Sequence, residues 1–458
     1  MRSSDGGASE MRLLFIGPGY PGVEGTGSGS GIGTYLREIT LGLTARGHEC
    51  HVVVWEDSES KCSGQESRPY LGFDLHEVKG VRVCLLRHSY WPIIERAMPD
   101  SRDVWNMRRL VRRLDAEYHY DWIEIQSEEG IGIEVQRTFP NKTILRAHTT
   151  LMQMVEYKGE KATGHEVHAL KTGRLFDVQM RKLRARLRRE RKSFEIAKRI
   201  ITHSSAHADE IQRLFGGIVE PWIVHHGIGA ASKETRDCPS HPDTFPPAER
   251  KGGDGVELHG VDSPRSDVVR PMSQGSAFHI PTFLIIGTAD RRKGFDRIRP
   301  VLETYATRYG LCRAIIVSSA PVGIKAEFGL SADQVSDAKG WVVEWKTGLS
   351  TDQLDAEYKR ATVYLHLARY ESFGIPLVEA ACHGVPVVST RVGIAAELLT
   401  GELARFLVDG SDIAGIADAL HSAVQDCVSV GGELLAVHEN KFTREHMTES
   451  FLNRIRGL

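Results

Sequence analysis

RYESFGIPLVEAACHGVPVVSTRVGIAAEL, Arg369 to Leu398, sets Glu371 and Glu379 with seven residues between them and a Gly–Ile–Pro turn after the first. Proline at the first position of a helix gives up only an N–H that would be unpaired there, so Pro376 can open a helix. Glu371 then lies in the loop before that helix and Glu379 about one turn into it, and both can face its N-terminal end. Ionised carboxylates accept paired hydrogen bonds from vicinal hydroxyls, the groups that sugars and riboses offer. Two surface glutamates near a helix start are also common, because the helix dipole favours them there. The apolar run Val385–Ser389 follows the helix. Loop, helix and buried strand in this order form one unit of a parallel α/β sheet.

Working outward, the same alternation runs through residues 279–458, with strand candidates at Phe283–Ile286, Ala314–Ser318, Trp341–Glu344, Val363–Leu367 and Arg405–Val408. After the first of them comes GTADRRKGFD, Gly287 to Asp296. Arg291, Arg292 and Lys293, beside Gly294 at a strand's carboxyl end, can neutralise a diphosphate leaving group as a glycosidic bond breaks. A solvated charge run is the ordinary alternative. Upstream, residues 230–278 are rich in Gly, Pro, Asp, Ser and Lys, which predicts a mobile linker or insertion.

Residues 11–229 repeat the α/β pattern, with apolar runs Arg12–Ile16, His51–Trp55, Val81–Leu86, Trp122–Ile125, Thr143–Leu145, Arg199–Thr202 and Ile223–His225. Between the first two, Leu36, Ile39 and Leu43 share one face of a predicted helix, Tyr35 to Arg46, that Gly47 can stop. The loop GPGYPGVEGTGSGSGIGTY, Gly17 to Tyr35, joins strand to helix. Its glycines permit close approach of backbone to a ligand, and the helix start offers unpaired N–H groups. It is not a strict G-x-G-x-x-G fingerprint and no acidic residue is clearly placed for a ribose, so a ligand-facing loop and a bare surface loop both fit. The fold class predicted is two doubly wound, Rossmann-like domains facing across a cleft, with ligand bound where the strand ends meet.

Bulk composition narrows the function classes. The 458 residues are 41% hydrophobic with a net charge of -2, so no global field selects nucleic acid. No run approaches the roughly 20 apolar residues of a membrane span. Residues 1–10, MRSSDGGASE, lack the apolar core of a signal peptide and read as a disordered leader. The seven cysteines are scattered without a C-x-x-C pair, which suits reduced thiols in a cytoplasmic enzyme. Arg181 to Lys192, RKLRARLRRERK, holds eight basic residues in twelve, with Leu183 and Leu187 on one face. It predicts either peripheral contact with anionic lipid head groups or an acidic acceptor, or simply a solvated helix face.

The Glu371–Glu379 segment, with Phe373, Gly374 and Pro376 in place, resembles the signature of the family 4 retaining glycosyltransferases, which adopt the GT-B fold. The resemblance extends over nearly the whole chain from Met11. Gly31-Ile32-Gly33 resembles that family's glycine-rich loop, LTARGHECHVVVW its first helix end and second strand, Lys293-Gly294 its phosphate-binding pair, and HSSAHADEI the helix opened by Ser204. The resemblance implies transfer of a hexose-type sugar from a nucleotide-sugar donor to a sugar, glycolipid or small-molecule acceptor, without metal or cofactor; no Asp-x-Asp motif stands out. It implies that Glu379 holds the donor ribose and that Glu371 contacts the sugar ring. Gly31 and Gly33, and the backbone around Ser372, Phe373 and Gly374, would line the donor. Lys293 would hold the diphosphate, and His148 would reach the transferred sugar; as a bare residue, His148 also fits a satisfied histidine closing a strand. Two positions depart from the family. Thr288 stands where an arginine usually follows the glycine, so Arg291 or Arg292 must supply that charge, and His226-Gly227 replaces an Asn-Gly turn. The missing arginine keeps open a non-catalytic sugar-nucleotide binder, and the fold keeps open a phosphorylase or epimerase.

Overall fold

The computed structural model describes residues 10–23, 31–55, 73–87, 101–158, 178–229, 280–318, 334–337 and 340–457. The leader before Glu10, the middle of the glycine-rich loop and the predicted linker lie outside them. The first sheet is built from β1 (Arg12–Gly17), β2 (Glu49–Trp55), β3 (Phe73–Val78), β4 (Val81–Leu86), β5 (Trp122–Gln126), β6 (Thr143–Arg146), β7 (Ile200–Thr202) and β8 (Trp222–Ile223). Its spatial order is β3-β4-β2-β1-β5-β6-β7-β8. The second sheet contains β9 (Thr282–Ile286), β10 (Cys312–Val317), β11 (Gln334–Asp337), β12 (Trp341–Lys346), β13 (Val363–His366), β14 (Val387–Thr390) and β15 (Leu407–Val408), in the order β11-β12-β10-β9-β13-β14-β15. All neighbours pair in parallel except β3 with β4 and β11 with β12.

The central strands follow from their composition. From Leu13 to Ile16 and from Cys50 to Val54 every side chain is buried, as a strand covered on both faces requires. The two antiparallel strands sit at sheet edges, and the sequence did not announce them. β3, FDLHEV, is largely exposed and so lacks the unbroken apolar run that marks its neighbours. Near Arg405 the predicted strand shrinks to Leu407–Val408, because Gly401–Phe406 coils into a 3-10 turn.

Helices cover both sheets. The first domain carries α1 (Gly31–Thr44), α2 (Ser101–Tyr118), α3 (Ile133–Thr138), α4 (Leu151–Lys158), α5 (Val178–Ile196) and α6 (Ser205–Phe215). The second carries α7 (Phe295–Tyr309), α8 (Thr351–Arg360), α9 (Ile375–Cys382), α10 (Ala395–Leu398), α11 (Ile413–Gln425) and α12 (Cys427–Lys441), and α13 (Arg444–Arg456) follows. Each sheet reverses its winding at its first strand: β1 lies between β2 and β5, and β9 between β10 and β13. The loops leaving those strands diverge and open a crevice at the carboxyl ends. The two crevices face each other, with Gly31 at the start of α1 lying against Ile375 at the start of α9.

The chain crosses between domains at two adjacent points. Ile228 and Thr443 form a parallel bridge, with hydrogen bonds of 3.0 Å from Ile228 N to Phe442 O and 3.1 Å from Arg444 N to Ile228 O. A Cβ on Gly227 would lie 2.0 Å from Thr443 O, so only glycine allows this approach. After the second crossing, α13 does not stay with the second domain, as a boundary of 279–458 would have it. Met447, Phe451, Leu452 and Ile455 pack into one core with Leu13, Phe15, Ile39 and Leu43 of the first. Arg444 supports the joint by bonding Glu38 on α1 at 2.6 Å.

Phe451 is fully buried against Phe15, with ring centroids 6.2 Å apart. Phe451→Ala is expected to destabilise the first domain by about 3–5 kcal/mol. Denaturant unfolding monitored by a first-domain tryptophan such as Trp122 reads this directly. A loss well below 1 kcal/mol, by the same scale of core truncations, would show that α13 is not part of that core.

Candidate active site

At the switch point of the second sheet, two loops meet. The loop after β9 turns through Asp290, whose Oδ1 accepts from Lys293 N at 2.8 Å. Gly294 has φ +73°, and a Cβ there would lie 1.9 Å from Leu367 O, so this loop can touch the end of β13 only as glycine. The contact aims Lys293 Nζ at Glu371 Oε1 in the loop after β13, and the two form a largely buried ion pair. His366 Nε2 lies 3.6 Å from the same oxygen. Burial alone would push the Glu371 carboxyl up, but Lys293, His366 and Arg292 together outweigh it and hold it below the ordinary value. Glu371 is therefore a carboxylate at any physiological pH.

The two arginines separate. Arg291 is exposed, and its carbonyl accepts from Arg369 Nη1 at 2.6 Å. The Arg292 side chain is 13% exposed and turns inward: Nη2 donates to Thr288 Oγ1 at 3.4 Å and lies 3.7 Å from Asp290 Oδ2. Its buried Nε has no protein partner. Arg292 thus brings its charge to the loop where Thr288 has none.

The helix after Glu371 begins at Ile375, one residue earlier than the sequence suggested, with Gly374 as its cap and Pro376 second. Glu379 is its fifth residue. Tyr358 on α8 donates its hydroxyl to Glu379 Oε2 at 2.7 Å and so fixes the carboxylate from behind. Burial raises the Glu379 carboxyl above its ordinary value despite that bond. The two glutamates are thus held in opposite electrostatic states: one paired with a cation, the other desolvated and neighboured by a phenol.

The first domain closes directly over this loop. Thr149 Oγ1 donates to Ser372 Oγ at 3.1 Å, and Ser204 Oγ donates to Ser372 O at 3.1 Å while accepting from His207 N at 3.2 Å as the cap of α6. Ser205 bonds Glu397 Oε1 through both its N (2.8 Å) and its Oγ (2.7 Å), and His225 Nε2 meets Glu397 Oε2 at 2.8 Å. Phe373 stands edge-on to the His226 ring, with centroids 4.7 Å apart.

His148 lies just beyond β6, at the floor of this contact. Its N donates to Ser127 Oγ at 3.1 Å, its Nε2 bonds Gln126 Oε1, and its Nδ1 lies 3.1 Å from His203 Nε2. His203 in turn stacks on His226, with centroids 4.1 Å apart. Burial, with Arg146 beside it, holds His148 neutral, and burial likewise lowers His203 and His226. The nitrogens of His148, His203 and His226 lie within 4.8 Å of one another, a grouping that could hold a metal ion. The sequence reading named His148 and, as a hinge turn, His226, but not His203, Tyr358 or Gln126. The one available signal was that a histidine follows each of three successive strands, β6, β7 and β8.

Gly31 lines the cleft against Ile375, whereas Gly33 is buried within α1. Arg181–Lys192 falls within α5, away from the Glu371 loop. The α5 residues Glu190 and Phe194 are buried, while Arg181, Arg188, Arg191 and Lys192 are exposed. Among the described residues no helix is long and apolar enough to cross a membrane. The described cysteines, Cys50, Cys84, Cys312, Cys382 and Cys427, are buried thiols outside any disulfide, as the bare sequence suggested.

The chain is similar to known glycosyltransferases. Residues 29–231 match the family model Glycosyltransferase Family 4, and residues 332–430 match Glycosyl transferases group 1. D-inositol 3-phosphate glycosyltransferase of Paenarthrobacter aurescens (strain TC1) is 24% identical over 448 residues, covering 95% of each chain. The phosphatidylinositol N-acetylglucosaminyltransferase gpi3 subunit of Schizosaccharomyces pombe is 30% identical over 145 residues, covering 32% of this chain and 30% of that one. Among solved structures, sucrose-phosphate synthase from Thermosynechococcus elongatus aligns with a TM-score of 0.64 at 16% identity, covering 98% of this chain and 99% of that one; this is a likeness of fold.

The raised Glu379 carboxyl has a consequence for stability. A folded-state value above the unfolded one means that the folded protein binds the extra proton, so stability falls as pH rises through that window. Glu379→Gln carries no such proton, and Gln can still accept from Tyr358. The variant without ligand is expected to melt higher than the parent, by a margin that widens as pH rises from about 5 to 8. Melting curves whose difference shrinks with rising pH would contradict the assignment.

Proposed function

Because the chain belongs to the family 4 glycosyltransferases and has their GT-B fold, we propose that it transfers a hexose-type sugar from a nucleoside-diphosphate sugar to an acceptor hydroxyl with retention of configuration. The observation that carries this reading is the buried Lys293–Glu371 pair at the switch point of the second sheet. A donor would exchange both partners: its diphosphate would take Lys293, and its sugar hydroxyls would take Glu371. Ribose hydroxyls would bond Glu379, and the Ser372–Gly374 backbone would line the sugar. His148 would meet the sugar from the other side of the cleft.

No carboxylate is placed as an obvious nucleophile, so the reaction fits front-face displacement. The bond from the anomeric carbon to the diphosphate oxygen breaks while the acceptor oxygen attacks the same face. The acceptor proton passes to the departing phosphate, giving the glycoside and the nucleoside diphosphate. Catalysis then rests on positioning and on stabilising the charge that develops on the diphosphate. The donor is a substrate, and the transfer step uses no cofactor or metal.

Arg292 replaces the arginine missing at Thr288, which favours an enzyme over a non-catalytic binder. A phosphorylase or epimerase would use the same donor site and differ in its product. Both relatives above are named for inositol-containing compounds, and Arg181, Arg188, Arg191 and Lys192 suit an anionic acceptor or anionic lipid head groups. Acceptor trials should therefore include an inositol phosphate and phosphatidylinositol in vesicles.

The test measures nucleoside diphosphate release from UDP-, GDP- and ADP-sugars with chelator present. Lys293→Ala and Arg292→Ala are each expected to lower turnover about 100- to 1000-fold, the usual cost of removing one donor to the developing charge. Arg291→Ala is expected to stay within a few-fold of the parent. Near-normal rates in the first two variants, or a crippled Arg291 variant beside a normal Arg292 one, would overturn the proposal.

A further inference from the structure

We propose that His148, His203 and His226 form a binding site for one divalent transition-metal ion of the Zn2+ class, on the floor of the cleft and apart from the diphosphate site. The three histidines follow β6, β7 and β8, adjacent strands of one sheet, so the fold presents them side by side. All three are buried. The group is prepared for ligation by a chain of buried hydrogen bonds. Glu124 accepts from Tyr35 at 2.7 Å, from Arg146 at 3.0 Å and from Gln126 Nε2 at 2.9 Å. That last bond fixes the Gln126 amide, so its oxygen faces His148 Nε2 and accepts its proton. The lone pair of His148 then lies on Nδ1, directed toward His203 Nε2 at 3.1 Å. An outer carbonyl oxygen that sets the tautomer of an inner histidine is the usual support for a metal ligand.

Distances and charge both suit this ion class. Ligand nitrogens about 2.0–2.1 Å from zinc stand about 3.3 Å apart in a tetrahedron. The His148–His203 pair already meets that spacing, and small ring rotations bring in His226. Burial keeps the imidazoles neutral, so no net proton need be released; the proton that His203 Nε2 donates to His148 Nδ1 moves to His203 Nδ1 on binding. The nearby cation, Arg146, is turned onto Glu124 and the Tyr35 ring. His226 Nδ1 is buried without a partner, so without an ion the cluster leaves a polar atom unsatisfied. Three neutral imidazoles select zinc, cobalt, nickel or copper over magnesium or calcium, which prefer oxygen.

One consequence rests on the function proposed above. A metal would hold His148 against His203 and away from a sugar in the cleft, so the ion would inhibit transfer. The full-length chain, stripped with chelator, should bind one equivalent of Co2+ with the visible absorption of a tetrahedral nitrogen site, and Zn2+ should displace it. His203→Gln and His226→Gln should each lower Co2+ affinity at least tenfold. His207→Gln, in the same region but outside the triad, should leave it unchanged. Nucleoside diphosphate binding by each variant checks that it is folded. No Co2+ spectrum in the parent, or equal binding by the folded triad variants, overturns the site. Stoichiometric Co2+ binding that leaves transfer unaffected keeps the site and overturns the role given to His148, and absence of transfer in the metal-free parent, with Co2+ binding intact, is failure of the enzyme reading alone and leaves the site standing.

Discussion

Lys293 and Glu371 come from loops that leave β9 and β13, strands that are neighbours in space and far apart in sequence. Their pairing joins those loops at the point where the sheet's winding reverses, and much of the cleft is arranged around it. Gly294 must be glycine so that the first loop can reach the second. Arg292 lies close enough to add positive charge on the same carboxylate, while His366, held neutral by burial, stands 3.6 Å from it. Buried pairs often contribute little net stability, yet breaking one by removing a single partner typically costs about 3–5 kcal/mol, because the other charge is stranded. An arrangement of that kind suits a site whose ligand carries both kinds of group. An incoming anion can relieve Glu371 of Lys293 while hydroxyls replace Lys293 on Glu371, so neither charge is left uncompensated.

The same loop that holds Glu371 also carries the closure of the domains. Ser372 is gripped by Thr149 and Ser204, and Glu397 by Ser205 and His225, all through polar contacts with modest individual energies. Contacts of this kind can open and re-form, whereas the joint at Ile228 and Thr443 is tied by backbone bonds and by α13 buried in the first domain's core. The molecule therefore pairs a firm hinge with a releasable front edge, the mechanical arrangement that lets a cleft admit a substrate and then exclude water.

Much of this was legible in the sequence. Strand positions followed from unbroken apolar runs, and the placing of Glu371 before a helix and Glu379 inside it followed from the Gly–Ile–Pro turn. What could not be read has identifiable causes. The edge strand β3 is largely exposed, so no apolar run marks it. Arg291 and Arg292 are adjacent and chemically identical, and only the turn through Asp290 decides which faces inward. The return of α13 depends on a tertiary contact some four hundred residues from its partners Phe15 and Ile39. The histidine group is spread over three segments, and nothing short of the order of β6, β7 and β8 brings it together.

In the proposed donor complex the Lys293–Glu371 pair gives up its place to the diphosphate and the sugar. The most direct measurement is a crystal structure of the full chain with an intact, non-transferable 2-fluoro nucleotide sugar. A parted Lys293–Glu371 pair is expected, with a phosphate oxygen within hydrogen-bond reach of Lys293 Nζ, a sugar hydroxyl on Glu371 and the ribose on Glu379. A nucleotide bound with that pair intact, or bound elsewhere on the molecule, would contradict it.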